Sequence, residues 1–234
     1  MSGYMGYMII AGIFTLIGWW VSSRLKSKFN EYSKQPIAQG MTGKEVAETM
    51  LHYYGINDVN VVPANGFLSD HYNPANKTVN LSPEVFQGQS VMSAAVAAHE
   101  CGHAVQHATA YSALKFRSAI VPVVKVASGM QQYLLLFALG GFGMGASGLG
   151  GTLLIITILA FAVTTLFSLI TLPVEFDASR RALLWLDQNK VLSGLEHDKA
   201  KDALKWAAMT YVAAALSSLV MLLYLAMQFM GSRD

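Results

Sequence analysis

Long apolar and polar blocks alternate along this chain. Tyr4 to Val21 is apolar, with Tyr4 and Tyr7 near one end and Trp19 and Trp20 at the other. Its length is close to the roughly 20 residues a membrane-spanning helix needs, and the aromatic rings suit the two interfaces. Arg24, Lys26, Lys28 and Lys34 follow at once. Gln35 to Ser90 reads as soluble. Thr42-Gly43-Lys44-Glu45 forms a capping box, and Val46, Ala47, Met50, Leu51 and Tyr54 recur at helical spacing before a stop at Gly55. Val59 to Val62 and Thr78 to Leu81 read as short strands. Between them, Gly66 to Tyr72 leads into a turn at Asn73-Pro74-Ala75-Asn76. A sheet of two or three strands should lie beside the next helix, which Ser90 caps and which runs over about residues 90–111.

Three more apolar runs follow, at residues 123–143, 153–172 and 207–230. Lys125 lies near enough to an end to snorkel. Met144 to Gly151 is an uncharged connection, and Pro173 should end the third run. The polar segment 173–206 predicts a helix from Ala178 to about Asn189, a turn at Ser193-Gly194, and a helix that continues into the last run. The expected fold is mainly α. Transmembrane helices over 4–21, 123–143, 153–172 and 207–230 carry a small α+β domain, built from 22–117 with segment 173–206.

Composition agrees. Of 234 residues, 53% are hydrophobic and 13% charged, where soluble domains carry about 25% charged residues. A net charge of +2, without a basic stripe, argues against nucleic acid. The single cysteine, Cys101, excludes an intrachain disulfide. No Lys or Arg precedes Arg24, so the first run reads as a retained anchor. Basic residues crowd Ser22 to Pro122 and Glu175 to Lys205, and the tail has Arg233. The positive-inside bias therefore puts both polar segments in the cytosol and both termini outside.

The chemistry gathers at Ala97-Ala98-His99-Glu100-Cys101-Gly102-His103-Ala104. Histidines four apart on a helix share one face, and both imidazoles can reach one zinc ion. Glu100 projects beside them, where a carboxylate can take a proton from water. A third donor is needed, and Glu175 is the candidate. It follows Pro173 at the mouth of the third run, between Val174 and Phe176, where an unpartnered carboxylate is costly and a metal supplies a partner.

These residues, together with Ser69-Asp70-His71-Tyr72-Asn73-Pro74, Lys77 to Ser82, His99 to His107 and Leu172 to Ala182, resemble membrane-embedded zinc metallopeptidases of the YugP-like family. More distantly they are similar to the HtpX and CAAX prenyl protease type. The resemblance implies a zincin-like catalytic domain on the cytosolic side of a multi-pass protein of the bacterial cell membrane. It also implies a gluzincin-like site, with one Zn2+ on His99, His103 and Glu175, and Glu100 as base. The distant relatives carry an Asp four residues after the Glu ligand; here that position is Ser179, and Asp177 is the nearby carboxylate. Asp177 either orients a ligand histidine or caps a helix.

Other residues have plainer readings. His107 is a helix-surface residue or supports a ligand. His71 is a surface histidine or lines the cleft, within reach of an oxyanion. Cys101 points away from the metal face as a core residue, and Gly102 admits a close backbone. Arg180 and Arg181 mark the cytosolic membrane surface, with steadying Glu175 or binding a substrate carboxylate as the alternatives. The expected function is hydrolysis of membrane proteins or membrane-associated peptides by a zinc endopeptidase held in a lipid bilayer. A catalytically silent zinc-binding scaffold is the alternative.

Overall fold

The computed structural model describes residues 2–140 and 148–231. Helix α1 (Ser2–Tyr32) does not stop at Val21 but continues through the basic cluster. No glycine or proline interrupts Trp19 to Tyr32, and Phe29 and Tyr32 are buried. Helix α2 (Gly43–Tyr53) starts at the expected capping box. Glu45 N–H donates to Thr42 Oγ1 at 3.2 Å, and Glu45 Oε2 accepts from Thr42 N–H at 2.8 Å. Gly55, at φ +68°, supplies the left-handed residue that ends it.

Strands β1 (Asn60–Pro63), β2 (His71–Asn73) and β3 (Thr78–Leu81) form one sheet in the order β1-β3-β2. The central strand β3 runs parallel to β1 and antiparallel to β2, with Tyr72 opposite Val79. After a short helix α3 (Pro83–Phe86) comes α4 (Val91–Ala108), capped by Ser90, whose side chain accepts from Ser93 N–H at 3.1 Å. It ends at Ala108, short of Tyr111, because Ala110 turns to φ +56°.

Helix α5 (Ser112–Gly140) carries the second apolar run up to Gly140; residues 141–143 of that run and 144–147 of the predicted connection lie outside the described residues. Gly148 to Gly151 already belong to α6 (Gly148–Gln188), which passes through Pro173 without ending. A mid-helix proline costs about 3 kcal/mol. Val174, Ala178, Ala182 and Trp185 lie beyond it and are fully buried. Burial of that stripe offsets the cost, so one helix stands where two were expected. Helix α7 (Leu195–Gly231) follows Gly194 and continues into the last apolar run, as expected.

The chain divides into two units. The first gathers Met1–Val21, Phe116–Leu172 and Thr210–Asp234. Within it Leu154, Phe161, Met221 and Leu225 are buried against Tyr7, Ile10 and Ala11. A side chain at Gly6 would collide with the Tyr224 hydroxyl. Its outward residues are large and apolar, Ile9, Leu16, Val126, Leu159 and Leu223 among them. Among the described residues three helices are long and apolar enough to cross a membrane, over Met5–Tyr32, Gly150–Gln188 and Leu195–Gly231.

The second unit is Ser22–Lys115 with Pro173–Met209. Here Val46, Ala47 and Met50 of α2 pack on Ala94, Ala98, Cys101 and Val105 of α4. The alanines let the helix axes approach closely. Cys101 is a core residue as expected; its Sγ lies 3.5 Å from the Ala47 carbonyl, and burial pushes its thiol pKa up. Trp185 and Leu186 of α6, and Ala200 and Ala203 of α7, complete the core.

Candidate metal centre

Helix α4 places His99 and His103 one turn apart, with ring centroids separated by 4.8 Å at an interplanar angle of 82°. Between them Gly102 faces α6. A Cβ there would lie 2.6 Å from the Ala178 carbonyl oxygen, so only glycine lets the two backbones meet. That approach sets Glu175, one turn before Ala178, beneath the imidazoles. Its Oε2 is 3.5 Å from His99 Nε2 and 3.5 Å from His103 Nε2.

These three donors all fall within 4.8 Å of one another. Two ligands about 2.1 Å from one ion at a tetrahedral angle stand about 3.4 Å apart. The observed spacing fits a shared ion better than a hydrogen bond, whose N···O distance is about 2.7–3.2 Å. Two imidazoles and a carboxylate are also a donor set suited to zinc. Glu175 is only 3% exposed, so its charge needs such a partner.

The ligands are held from behind. His103 Nδ1 lies 3.0 Å from Gln106 Oε1. Gln106 is fully buried, and its Nε2 donates to the Val174 carbonyl at 2.8 Å and to Asp177 Oδ2 at 2.9 Å. Two acceptors around Nε2 fix the amide orientation, so Oε1 must accept from His103 Nδ1–H. The Nε2 lone pair of His103 is thereby left for a metal. Asp177 also receives Arg180 and Arg181 at 2.6 Å each. Asp177 lies inside α6, not at a helix start, so the capping alternative falls. It supports His103 through Gln106. Arg180 and Arg181 steady Asp177, a role not among those anticipated.

His99 Nδ1 is 3.1 Å from Ser179 Oγ. The serine at the distant relatives' Asp position thus contacts a ligand histidine directly. Glu100 is 8% exposed, and its Oε2 accepts from Tyr72 N–H of β2 at 3.0 Å. Asp70, just before β2, accepts from Ser82 N–H at 2.7 Å and Ser82 Oγ at 3.1 Å, which pins the strand's approach. Burial pushes the Asp70 pKa up, the Glu100 charge adds to this, and the Ser82 bonds only partly offset it.

His71 and His107 are not part of the metal group. His71 is exposed, with Nδ1 2.8 Å from the Ser69 carbonyl. His107 Nδ1 bonds the Tyr72 hydroxyl at 2.8 Å and so ties α4 to β2. Three supports escaped the sequence reading: Gln106, the Tyr72 backbone and the serine contact to His99. A lone glutamine in an alanine-rich helix, three residues after a ligand histidine, was the available signal for the first. A backbone donor leaves no sequence signal.

Residues 7–230 match a family model described as "Putative neutral zinc metallopeptidase". Over 218 residues, 93% of this chain and 94% of the relative, the chain is 42% identical to "Putative membrane protease YugP" of Bacillus subtilis (strain 168). No solved structure matches.

Proposed function

The chain belongs to that zinc metallopeptidase family, and from this premise we propose that it is a membrane-embedded endopeptidase that uses one zinc ion and Glu100 to hydrolyse peptide bonds. The observation that carries the reading is the single carboxylate oxygen of Glu175, equidistant at 3.5 Å from two imidazole nitrogens. Zinc held by His99, His103 and Glu175 would supply Lewis-acid activation of water and of the scissile carbonyl.

The chain's own residues do the rest. Glu100 has Oε2 anchored on the Tyr72 N–H, which leaves Oε1 to take a proton from the attacking water. The hydroxyl adds to the carbonyl carbon, the C–N bond breaks, and Glu100 returns the proton to the leaving amine. Gln106 holds the His103 imidazole in the tautomer that keeps Nε2 available, and Ser179 positions His99 through its Nδ1.

Helices α1, α5, α6 and α7 are the proposed spans, with the metal centre cytosolic. Glu175 follows the third apolar run by three residues. A site so tied to a membrane exit favours membrane proteins or membrane-associated peptides as substrates. The test is Glu100→Gln in purified, detergent-solubilised protein. One zinc retained with hydrolysis reduced 10²–10⁴-fold, the range for a lost general base, supports the enzyme. Undiminished hydrolysis would overturn the role of Glu100 as base, and a cellular phenotype unchanged by the substitution would support the silent scaffold. Equal cutting of soluble and membrane-tethered peptides would overturn the substrate class alone.

A further inference from the structure

A second feature shares Ser179 with the candidate metal centre. Helices α6 and α7 enclose a cleft of about 440 Å³ in the polar unit, within the roughly 300–1,000 Å³ of small-molecule sites. Its floor is apolar, formed by Phe176, Leu183, Leu184 and Leu204. Phe176 and Leu184 are 46% and 52% exposed, more than a soluble surface needs to leave open. Its rim is basic. Lys201 and Lys205 line it with Arg180, which is already paired with Asp177, against one lining acid, Asp187. Among the described residues neither Lys201 nor Lys205 is in a salt bridge, though the charge of Lys205 acts on Asp202.

The cleft begins where the chain turns from charged to apolar. Lys205 precedes Ala207, the start of the last apolar run, and Phe176 lies four residues beyond Leu172, the end of the third. Both helices continue unbroken into those runs. An occupant therefore needs an apolar part for the floor and an anionic part for the basic side chains. A soluble acidic peptide uses the basic side chains but leaves the apolar floor uncovered. A zwitterionic lipid uses the floor but leaves the cations without a net counter-charge.

We propose that this cleft binds an anionic phospholipid, with an acyl chain along Phe176, Leu184 and Leu204 and its phosphate at Lys201 and Lys205. The proposal rests on the membrane reading given above, not on hydrolysis. Ser179 lines the cleft and also contacts His99, so a bound lipid lies one residue from the candidate metal group.

The experiment uses the full chain in phosphatidylcholine nanodiscs and titrates in phosphatidylglycerol, with bound lipid counted by native mass spectrometry. One phosphatidylglycerol should be retained in preference to phosphatidylcholine. The double variant Lys201→Gln/Lys205→Gln should weaken retention roughly 10- to 30-fold, following the attraction of each basic side chain to anionic lipid. Leu184→Asp, an acid placed on an already exposed floor position, should abolish it. Zinc content, measured alongside, should be unchanged and reports folding of each variant. Equal retention of both lipids, retention unaffected by the variants, or displacement by a soluble acidic peptide would overturn the proposal. Loss of peptide hydrolysis in Glu100→Gln has no bearing on this readout, so the two readings fail separately.

Discussion

Ser179 Oγ stands 3.1 Å from His99 Nδ1, one helical turn beyond Glu175 on the same helix. One face of α6 thus supplies both a candidate ligand and the support for another. Ser179→Ala should lower zinc affinity about 10- to 100-fold, the usual cost of losing a partner behind a ligating histidine. Ser179→Asp, which restores the carboxylate of the distant relatives, should recover most of it. Competition titration against a zinc chelator of known affinity reads both. An alanine variant that holds zinc as tightly as the parent would remove serine from the site.

Gln106 joins His103, Val174 and Asp177 in one buried network. Gln106→Leu keeps the volume and removes every one of those bonds. The Val174 carbonyl is then buried without this donor, which costs about 1–3 kcal/mol. His103 also loses the bond that fixes its tautomer. The variant should melt at lower temperature and bind zinc 10- to 100-fold more weakly. Unchanged melting with unchanged zinc affinity would contradict the network.

Much of this architecture could be read from residue order. The His99/His103 pair, Glu175, the Thr42 capping box, the Ser90 cap and strand β3 all rest on local patterns: periodicity, capping chemistry and metal-ligand spacing. What escaped depends on tertiary packing. Pro173 signals a helix end, yet the buried stripe from Val174 to Trp185 carries α6 past it. The basic cluster after Val21 ends the first apolar run, yet Phe29 and Tyr32 find core positions and draw α1 onward. Asp177 offered two local readings; the unbroken α6 removes the helix cap, and its contact with Gln106, 71 residues away, has no local signal.

Gly102 makes the third prediction. Gly102→Ala puts a methyl group 2.6 Å from the backbone oxygen of Ala178, and backbone cannot rotate aside as a side chain can. The helices must separate, at the 1–3 kcal/mol typical of overpacking. Because Ala178 and Glu175 share a helical turn, the separation also draws the carboxylate away from the imidazoles. Zinc affinity and thermal stability should fall together. Gly129→Ala, where nothing lies within 4 Å, is the control and should leave zinc binding intact. A Gly102→Ala protein with full zinc affinity would show that the close contact does not set the site.

The last prediction concerns protons. Burial alone would lower the His103 pKa. The Glu175 carboxylate beside it, the charge of Glu100, and the Gln106 bond outweigh it, so the metal-free protein holds the His103 proton more tightly than a free imidazole does. A raised folded-state pKa stabilises the metal-free fold fully below the unfolded value of about 6.5, and that contribution is lost as pH rises through the folded value. Zinc needs the Nε2 lone pair and must displace this proton. Zinc binding at about pH 6.5 should therefore release more than half a proton from His103 alone, seen by calorimetry in buffers of different ionisation enthalpy. Thermal stability of the metal-free protein should decline from there as pH is raised, while the zinc-loaded protein gains from tighter metal binding. In Glu175→Gln the largest upward influence is gone while that of Glu100 remains, so the His103 resonance of the metal-free protein should titrate at lower pH. A His103 titration at the same pH in both proteins would break the link between carboxylate and imidazole.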